Sequence, residues 1–167
     1  MPYLFSNCNS KLCLDVPDGS SDDGLQIQQY HLHDAVPQQW EIIRLYADQN
    51  DKNLALHSDW SGPYLIVSVS TSKALDNWTN SVADNDPIMQ YMAHGGENQQ
   101  WYFRSIGSPV VGGISYVVIN ACNLHALDVL SASMDDHAPI VHYHEHDGLS
   151  QRWWINELNT RSAFKNV

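Results

Sequence analysis

The sequence is poor in positive charge and has no long hydrophobic run. Its 167 residues include eight Lys and Arg against 19 Asp and Glu, which gives a formal net charge of −11. Nucleic acids and anionic membrane surfaces are bound by clustered cations that displace counterions, so we expect neither as a partner. No apolar run approaches the roughly 18 residues of a membrane span, and membrane insertion is not expected either.

Cysteines and processing signals are also scarce. The three cysteines form no Cys-x-x-Cys pair, which argues against a disulfide framework and favours small buried side chains in a reducing compartment. The residues after Met1 show neither a charged segment nor a long apolar one, so no signal peptide is visible. We therefore expect a cytoplasmic protein, with unconventional secretion left open. A chain of this length can bury roughly 70% of its unfolded surface, enough for one domain over 1–167.

What the sequence does contain is a threefold internal repeat built on a Gln-x-Trp triplet. In each copy a His lies five residues before the Gln, and a Tyr lies three residues before that His. An Asp preceded by Leu lies fifteen residues before this Tyr, and another Tyr lies twelve residues before the Asp. All offsets agree without a gap. The repeated residues are Tyr3, Asp15, Tyr30, His33, Gln38 and Trp40 in the first copy, Tyr64, Asp76, Tyr91, His94, Gln99 and Trp101 in the second, and Tyr116, Asp128, Tyr143, His146, Gln151 and Trp153 in the third.

Each copy contains four short strand-like segments separated by turn formers, with no helical periodicity. The copies cover about 3–44, 64–104 and 116–156, and they are joined by a polar connection over 45–63 and a Gly- and Ser-rich one over 105–115. Four strands cannot cover their own apolar face, so the copies must share one core. The pattern predicts an all-β fold of twelve short strands closed about a pseudo-threefold axis. A three-bladed propeller is the geometric rival, but propellers typically have at least four blades, and a β-trefoil fits better.

Three Gln-x-Trp triplets at these intervals resemble the ricin-B-type β-trefoil lectins, a family with cytosolic members in fungi. The resemblance covers essentially the whole chain. It implies that the Trp of each triplet is a core residue and that the Gln braces the fold. Elementary chemistry agrees, because a large apolar side chain repeated at the close of each unit suits a shared core. We expect each Gln to hold the Asp of its own copy in one orientation.

The other repeated residues suit a neutral, galactose-like sugar. A carboxylate can accept two hydroxyl bonds, an imidazole can donate or accept another, and the resemblance places the second Tyr of each copy where a ring covers the sugar's C–H face. The resemblance also implies an Asn directly before the Gln, which only the second copy has, since Pro37 and Ser150 replace it elsewhere. We rank the sites second, third, first. The predicted carbohydrate-binding residues are Asp76, Tyr91, His94, Asn98 and Gln99, then Asp128, Tyr143, His146, Ser150 and Gln151, then Asp15, Tyr30, His33 and Gln38.

Other patterns offer no second chemistry. His142, His144 and His146 alternate along one predicted strand and are interpreted as a solvated face, because the other copies lack this trio and a zinc site needs fixed supporting partners. No Gly-rich phosphate loop and no Ser nucleophile elbow are visible. Asn77-Trp-Thr79 is a glycosylation sequon, which has no consequence in the cytosol. We expect no catalytic residues, no cofactor and no metal.

The sequence therefore predicts a non-catalytic lectin for terminal galactose or N-acetylgalactosamine on glycoproteins or glycolipids. The resemblance to fungal lectins adds multivalent agglutination and a role in defence. Two alternatives stay open: a β-trefoil protease inhibitor acting through an exposed loop such as 45–63, and a carbohydrate-binding module serving a separate glycosidase. The oligomeric state, a homodimer included, is also open.

Overall fold

The computed structural model of the chain describes residues 1–33, 35–45, 51–107 and 113–158. Within them, no helix is long and apolar enough to cross a membrane. The regular elements of these residues are fourteen β-strands, one short α-helix and five three-residue 3-10 helices. In chain order the strands and the α-helix are β1 Pro2–Asn7, β2 Cys13–Asp15, β3 Leu25–Gln26, β4 Gln28–Tyr30, β5 Trp40–Arg44, α1 Lys52–Leu56, β6 Trp60–Ser68, β7 Lys73–Asp76, β8 Asp86–Pro87, β9 Met89–Met92, β10 Trp101–Ile106, β11 Ser115–Asn120, β12 Ala126–Val129, β13 Ile140–Tyr143 and β14 Trp153–Glu157.

Six strands, two from each copy, close into an antiparallel barrel. β1 pairs with β5, β5 with β6, β6 with β10, β10 with β11, β11 with β14, and β14 again with β1. Closure of the ring leaves none of these strands with an unpaired edge. The barrel therefore buries the apolar faces that a single copy could not cover alone.

The remaining strands form a cap of three hairpins, one from each copy. The hairpins are β2 with β4, β7 with β9, and β12 with β13. Neighbouring copies are joined by β3 with β9, by β8 with β13, and by a bridge between Gln28 and Pro139. A six-stranded barrel capped by three hairpins about a pseudo-threefold axis is a β-trefoil, so the predicted fold is confirmed.

The predicted number of twelve strands is wrong by two, because the third strand of the first two copies is interrupted at one residue. Those residues are Ile27 and Ile88, both buried, and their backbone N–H groups bond across to the neighbouring copy. Ile27 donates to Ile88, Ile88 donates to Ile140, and Ile140 donates back to Ile27, at 2.9, 3.0 and 2.9 Å. The strands are thus interrupted where these three residues form a closed ring of hydrogen bonds about the axis.

The connection between the first two copies is more structured than a polar loop. It contains α1, whose first turn is capped by the Asp51 carboxylate accepting from the N–H groups of Asn53 and Leu54. The Ser-Gly-Pro sequence at 61–63, predicted to belong to the connection, lies inside β6, which begins at Trp60. The loop 45–63 is the segment of the inhibitor alternative, and its residues 46–50 lie outside the described residues. Residues 108–112 of the second connection also lie outside them.

The three repeated tryptophans lie in the core, as predicted. Trp40, Trp101 and Trp153 are fully buried, and each indole N–H donates to the carbonyl oxygen of the Leu that precedes the Asp of the same copy, at 3.0 Å in all three. Each indole thereby fixes the strand that carries the Asp. Each Trp therefore helps to position the Asp of its copy, because the two are joined through this strand.

Candidate functional site

The three repeated Asp residues lie at or near the ends of the cap strands β2, β7 and β12. Asp15, Asp76 and Asp128 have 3%, 1% and 5% of their surface exposed. Burying a carboxylate is costly unless hydrogen bonds compensate it, so the donors around each one define the local structure. These donors differ from copy to copy.

In the second copy the structure brings all five predicted residues together. The Asn98 amide donates to Asp76 Oδ1 at 2.8 Å, and the Gln99 amide donates to Asp76 Oδ2 at 2.7 Å. The Gln99 carbonyl oxygen accepts the backbone N–H groups of His94 and Gly95 at 2.8 and 3.1 Å. Gln99 therefore holds the carboxylate, as predicted, and also the loop that carries the imidazole.

The orientation of the imidazole is fixed by a glycine two residues later. Gly96 N–H donates to His94 Nδ1 at 3.1 Å, so the proton of the neutral ring resides on Nε2, which lies 3.7 Å from Asp76 Oδ2. The third copy repeats this arrangement, with Gly148 donating to His146 Nδ1 at 2.9 Å. A Cβ at Gly96 would come within 3.0 Å of the ring, and one at Gly148 within 2.5 Å. The repeated His-x-Gly is a signal that the sequence interpretation missed.

In the third copy the carboxylate has fewer donors. The Gln151 amide donates to Asp128 Oδ2 at 3.0 Å, and His146 Nε2 lies 3.3 Å from the same oxygen. Among the described residues, the buried Asp128 Oδ1 has no hydrogen-bond donor. Ser150 stands where the second copy has its Asn. A pocket of about 350 Å³ opens here, lined by Asn85, Asp128, Val129, Ser131, Ala132, Tyr143, His146 and Ser150.

The first copy departs furthest from the prediction. The Gln28 amide donates to Asp15 Oδ2 at 2.8 Å, and His33 Nε2 lies 3.2 Å from Oδ1. The prediction that Gln38 holds Asp15 is wrong, because Gln28 supplies the amide while Gln38 donates to the His31 carbonyl oxygen. Gln38 does accept the His33 N–H at 3.2 Å, so it still braces the loop. A pocket of about 270 Å³ lies beside these side chains.

The repeated Tyr residues border the carboxylates but have different ring neighbours. In the first copy the Tyr30 ring contacts two imidazoles, with centroid distances of 4.1 Å to His31 and 4.7 Å to His137 of the third copy. In the third copy the Tyr143 ring lies 4.3 Å from His144, and Asn85 stands at the position that corresponds to His137. The ring of Tyr30 is therefore more crowded than the ring of Tyr143.

A second set of Asp residues, missed in the sequence, joins each copy to the next. They lie eight residues after the repeated Asp, and each accepts the backbone N–H of the residue that follows the repeated Tyr of the next copy. The pairs are Asp23 with Met92 at 3.1 Å, Asp84 with His144 at 2.7 Å, and Asp136 with His31 at 2.7 Å. The constant offset of eight was the available signal.

Two of these inter-copy Asp residues also bind an imidazole. Asp84 Oδ2 lies 2.7 Å from His144 Nδ1, and Asp136 Oδ2 lies 2.8 Å from His31 Nδ1. The hydrogen bond from His31 holds the pKa of the Asp136 carboxyl below its ordinary value. Each imidazole packs on the repeated Tyr of its copy, so the Asp of the preceding copy helps to position that Tyr.

The residue before each repeated Tyr is a buried polar side chain that also links the copies. Gln90 donates to the carbonyl oxygens of Ser20 and Asp22, and it accepts from the Thr71 hydroxyl. Gln29 makes the same set of bonds with Ser133, Asp135 and Ser10. These buried groups are satisfied, as buried polar groups generally are.

In the third copy this position is His142, and the prediction that it lies on a solvated face is wrong. His142 is fully buried, with Nδ1 at 3.0 Å from His125 Nδ1 and 3.2 Å from the Asn123 amide. Among the described residues its Nε2 has no partner. Burial, and then the charge of His125, lowers the pKa of His142 below its ordinary value. No group of three His, Cys, Asp or Glu in the described part of the chain could hold a metal ion.

Comparisons with known proteins agree with this architecture. Residues 2–91 and 55–143 match the family described as ricin-type β-trefoil lectin domain-like. The chain is 30% identical to the designed three-fold symmetric protein ThreeFoil, with a TM-score of 0.76 over 94% of this chain and 99% of that one. None of the curated protein sequences matches the chain significantly.

Two natural proteins of known structure share the fold. An exo-β-1,3-galactanase from Clostridium thermocellum is 29% identical, with a TM-score of 0.80 over 94% of this chain but 30% of the enzyme. A Macrolepiota procera ricin B-like lectin, solved in complex with lactose, is 16% identical with a TM-score of 0.66 over 95% of this chain and 96% of the lectin. With the three Gln-braced loops and buried Trp residues seen above, the matches show that the chain belongs to the ricin-type β-trefoil lectin family, and this membership supports carbohydrate binding.

Proposed function

We propose that the chain is a non-catalytic lectin that binds terminal galactose or N-acetylgalactosamine through the side chains around Asp76 in its second copy and around Asp128 in its third, which we call the second and third pockets. The observation that carries this proposal is the second copy, where Asp76 is held by two amides beside a proton-bearing His94 Nε2 and the Tyr91 ring. The fold family supports the coarser function, and the side chains support the choice of sugar.

The arrangement suits adjacent sugar hydroxyls. Asn98 and Gln99 each use one lone pair of an Asp76 oxygen, and carboxylate oxygens can accept more than one hydrogen bond. Hydroxyl groups that donate to a fixed carboxylate make charge-assisted bonds, which are the stronger kind. The Tyr91 ring offers an apolar face to the C–H side of the sugar. A neutral ligand also meets no electrostatic penalty from the net charge of −11.

Binding to glycoproteins or glycolipids would gain from several pockets on one chain. Two pockets held in one rigid domain can crosslink glycans, and linked binding events raise apparent affinity without new contacts. Agglutination, a role in defence and, if the chain pairs, a homodimer with more pockets belong to this proposal. So do a cytoplasmic location and unconventional secretion, which the thiols of Cys8 and Cys122 suit, since neither forms a disulfide.

The proposal is tested by titrating methyl β-galactoside and its N-acetylgalactosamine counterpart against Asp15→Ala, Asp76→Ala and Asp128→Ala. Loss of a hydrogen bond to a charged group costs about 1.5–3 kcal/mol, so we expect the Asp76 and Asp128 variants each to remove one binding event. Asp59→Ala, which removes an exposed acid outside the repeats, is the control. Unchanged stoichiometry and affinity in all three variants would refute the proposal.

A second candidate function is a carbohydrate-binding module that serves a galactan-degrading enzyme. The observation that favours it is the likeness to the exo-β-1,3-galactanase, of which the chain matches 30% of the length. Retention of the protein on insoluble β-1,3-galactan, without agglutination of galactose-bearing cells, would favour the module. Agglutination that free galactose inhibits would favour the lectin.

A further inference from the structure

We propose that Trp78 forms a subsite beside the second pocket and takes the second sugar ring of a galactoside. This inference rests on the proposed function of that pocket, and it extends the ligand from a monosaccharide to a disaccharide. The repeat pattern does not include Trp78, because the corresponding residues of the other copies are Pro17 and Leu130.

Trp78 is a large aromatic side chain that remains 43% exposed beside the candidate stacking residue. Its ring centroid lies 4.9 Å from that of Tyr91, with an interplanar angle of 75°. The two rings meet edge to face, and both remain partly exposed. A sugar against Tyr91 would place its glycosidic neighbour near Trp78, which combines a broad apolar surface with a polar N–H at its edge.

The backbone around Trp78 is tied to the residues of the second pocket. Its neighbour Asn77 is fully buried, and Asn77 N–H donates to the carbonyl oxygen of Asn98 at 3.0 Å. The Asn77 side-chain amide donates to the Ser81 carbonyl oxygen at 3.3 Å, and Asn80 N–H donates to the Asn77 carbonyl oxygen at 3.0 Å. The turn is therefore preorganised against the residue that bonds Asp76, which lowers the entropic cost of binding.

Trp78 packs against a glycine of the first copy. A Cβ placed on Gly24 of the first copy would lie 3.4 Å from the nearest atom of the Trp78 six-membered ring, so the absence of a side chain lets the indole pack against Gly24. The residues at the corresponding position, nine after the repeated Asp, are Asn85 at the third pocket and His137 at the first. At these two positions a side chain is present, whereas beside Gly24 the Trp78 ring lies where a side chain would be. The three pockets are therefore predicted to differ in the length of glycan they hold.

The test compares lactose with methyl β-galactoside by calorimetric titration. The second pocket is isolated in a chain carrying Asp15→Ala and Asp128→Ala, with circular dichroism checking the fold. We expect lactose to bind about tenfold more tightly than the monosaccharide, as an aromatic contact worth about 1.4 kcal/mol gives. Trp78→Leu, which copies Leu130 of the third copy, should abolish this preference and leave monosaccharide affinity unchanged, and Trp78→Phe should retain most of it.

The outcomes separate this inference from the proposed function. If the isolated pocket binds both sugars and Trp78→Leu keeps the lactose preference, the subsite is refuted and the lectin proposal stands. Tighter monosaccharide binding by Trp78→Leu would show that the indole covers the Tyr91 ring, and this too refutes the subsite. If the isolated pocket folds and binds neither sugar, the proposed function of the second pocket fails and the subsite fails with it. If the isolated pocket does not fold, lactose-soaked crystals of the unchanged chain decide, by the presence or absence of a second ring against Trp78.

Discussion

Replacing Ser150 with Asn should give the third copy the hydrogen bond that Asn98 makes in the second. Asp128 Oδ1 is buried, and among the described residues it has no donor, whereas Asp76 Oδ1 accepts the Asn98 amide at 2.8 Å. The pocket beside Ser150 has a volume of about 350 Å³, which leaves space for the longer side chain. The reverse replacement, Asn98→Ser, removes the donor from Asp76.

The two replacements should change stability in opposite directions. A hydrogen bond to a charged group contributes about 1.5–3 kcal/mol. Ordering the Asn side chain opposes this by roughly 1 kcal/mol, so Ser150→Asn should raise the free energy of unfolding by about 1 kcal/mol. For a domain of this size, that corresponds to a rise in Tm of about 2–4 °C. Asn98→Ser leaves a buried carboxylate oxygen without a donor and should lower the free energy of unfolding by about 1–3 kcal/mol.

Urea unfolding followed by circular dichroism measures both changes, with Ser150→Ala as the control for loss of the hydroxyl. A titration with methyl β-galactoside on the same samples shows whether the new amide also strengthens the third pocket, as we expect. If Ser150→Asn lowers stability while Asn98→Ser leaves it unchanged, the amide–carboxylate bond is not what holds these Asp residues, and our account of the site is wrong.

Three further predictions concern residues that support the pockets. Burial lowers the pKa of His142 in the folded chain. At pH values below the ordinary pKa of 6.5 the unfolded chain therefore binds more protons than the folded chain. The free energy of unfolding then decreases as the pH is lowered, by up to about 1.4 kcal/mol per pH unit for each proton. His142→Gln, the residue type of the other copies, should flatten urea-unfolding stability between about pH 7 and pH 5; an unchanged slope would exclude His142 as its source. Asp84→Asn weakens the bond to His144 and should lower galactoside affinity of the third pocket several-fold in titrations, whereas equal affinity would show that the imidazole needs no anchor. Trp101→Phe removes the indole donor to Leu75 and should cost about 2–4 kcal/mol in urea unfolding, and a cost below about 1 kcal/mol would contradict its role in fixing the strand.

The architecture could be predicted from the sequence because the same buried residues recur at the same offsets. Trp40, Trp101 and Trp153 mark the close of each copy, and three units that cannot each cover an apolar face must share a core. The bonds that Gln99 and Gln151 make to their Asp residues were also predictable, because the pairs keep one spacing. The role of these residues in binding a sugar stays a prediction.

Other features depend on contacts that no repeat within one copy reveals. Two amides, those of Gln28 and Gln38, compete for Asp15, and side-chain geometry rather than spacing decides which one donates. Trp78 occurs in one copy alone and so carries no repeat signal. The burial of His142 depends on packing against His125, which lies on a different segment. Offsets within one copy predict contacts within that copy, whereas the hydrogen bonds between copies lie outside them.

The hydrogen bonds from backbone N–H groups to Asp23, Asp84 and Asp136 link the copies in one circular direction. Asp23 reaches forward from the first copy to the second, Asp84 from the second to the third, and Asp136 from the third back to the first. None of these bonds needs the peptide connections between copies, so three separate short chains meeting around the axis could form them equally well. Each copy is therefore held on both sides by its neighbours, independently of the order in which the chain connects them.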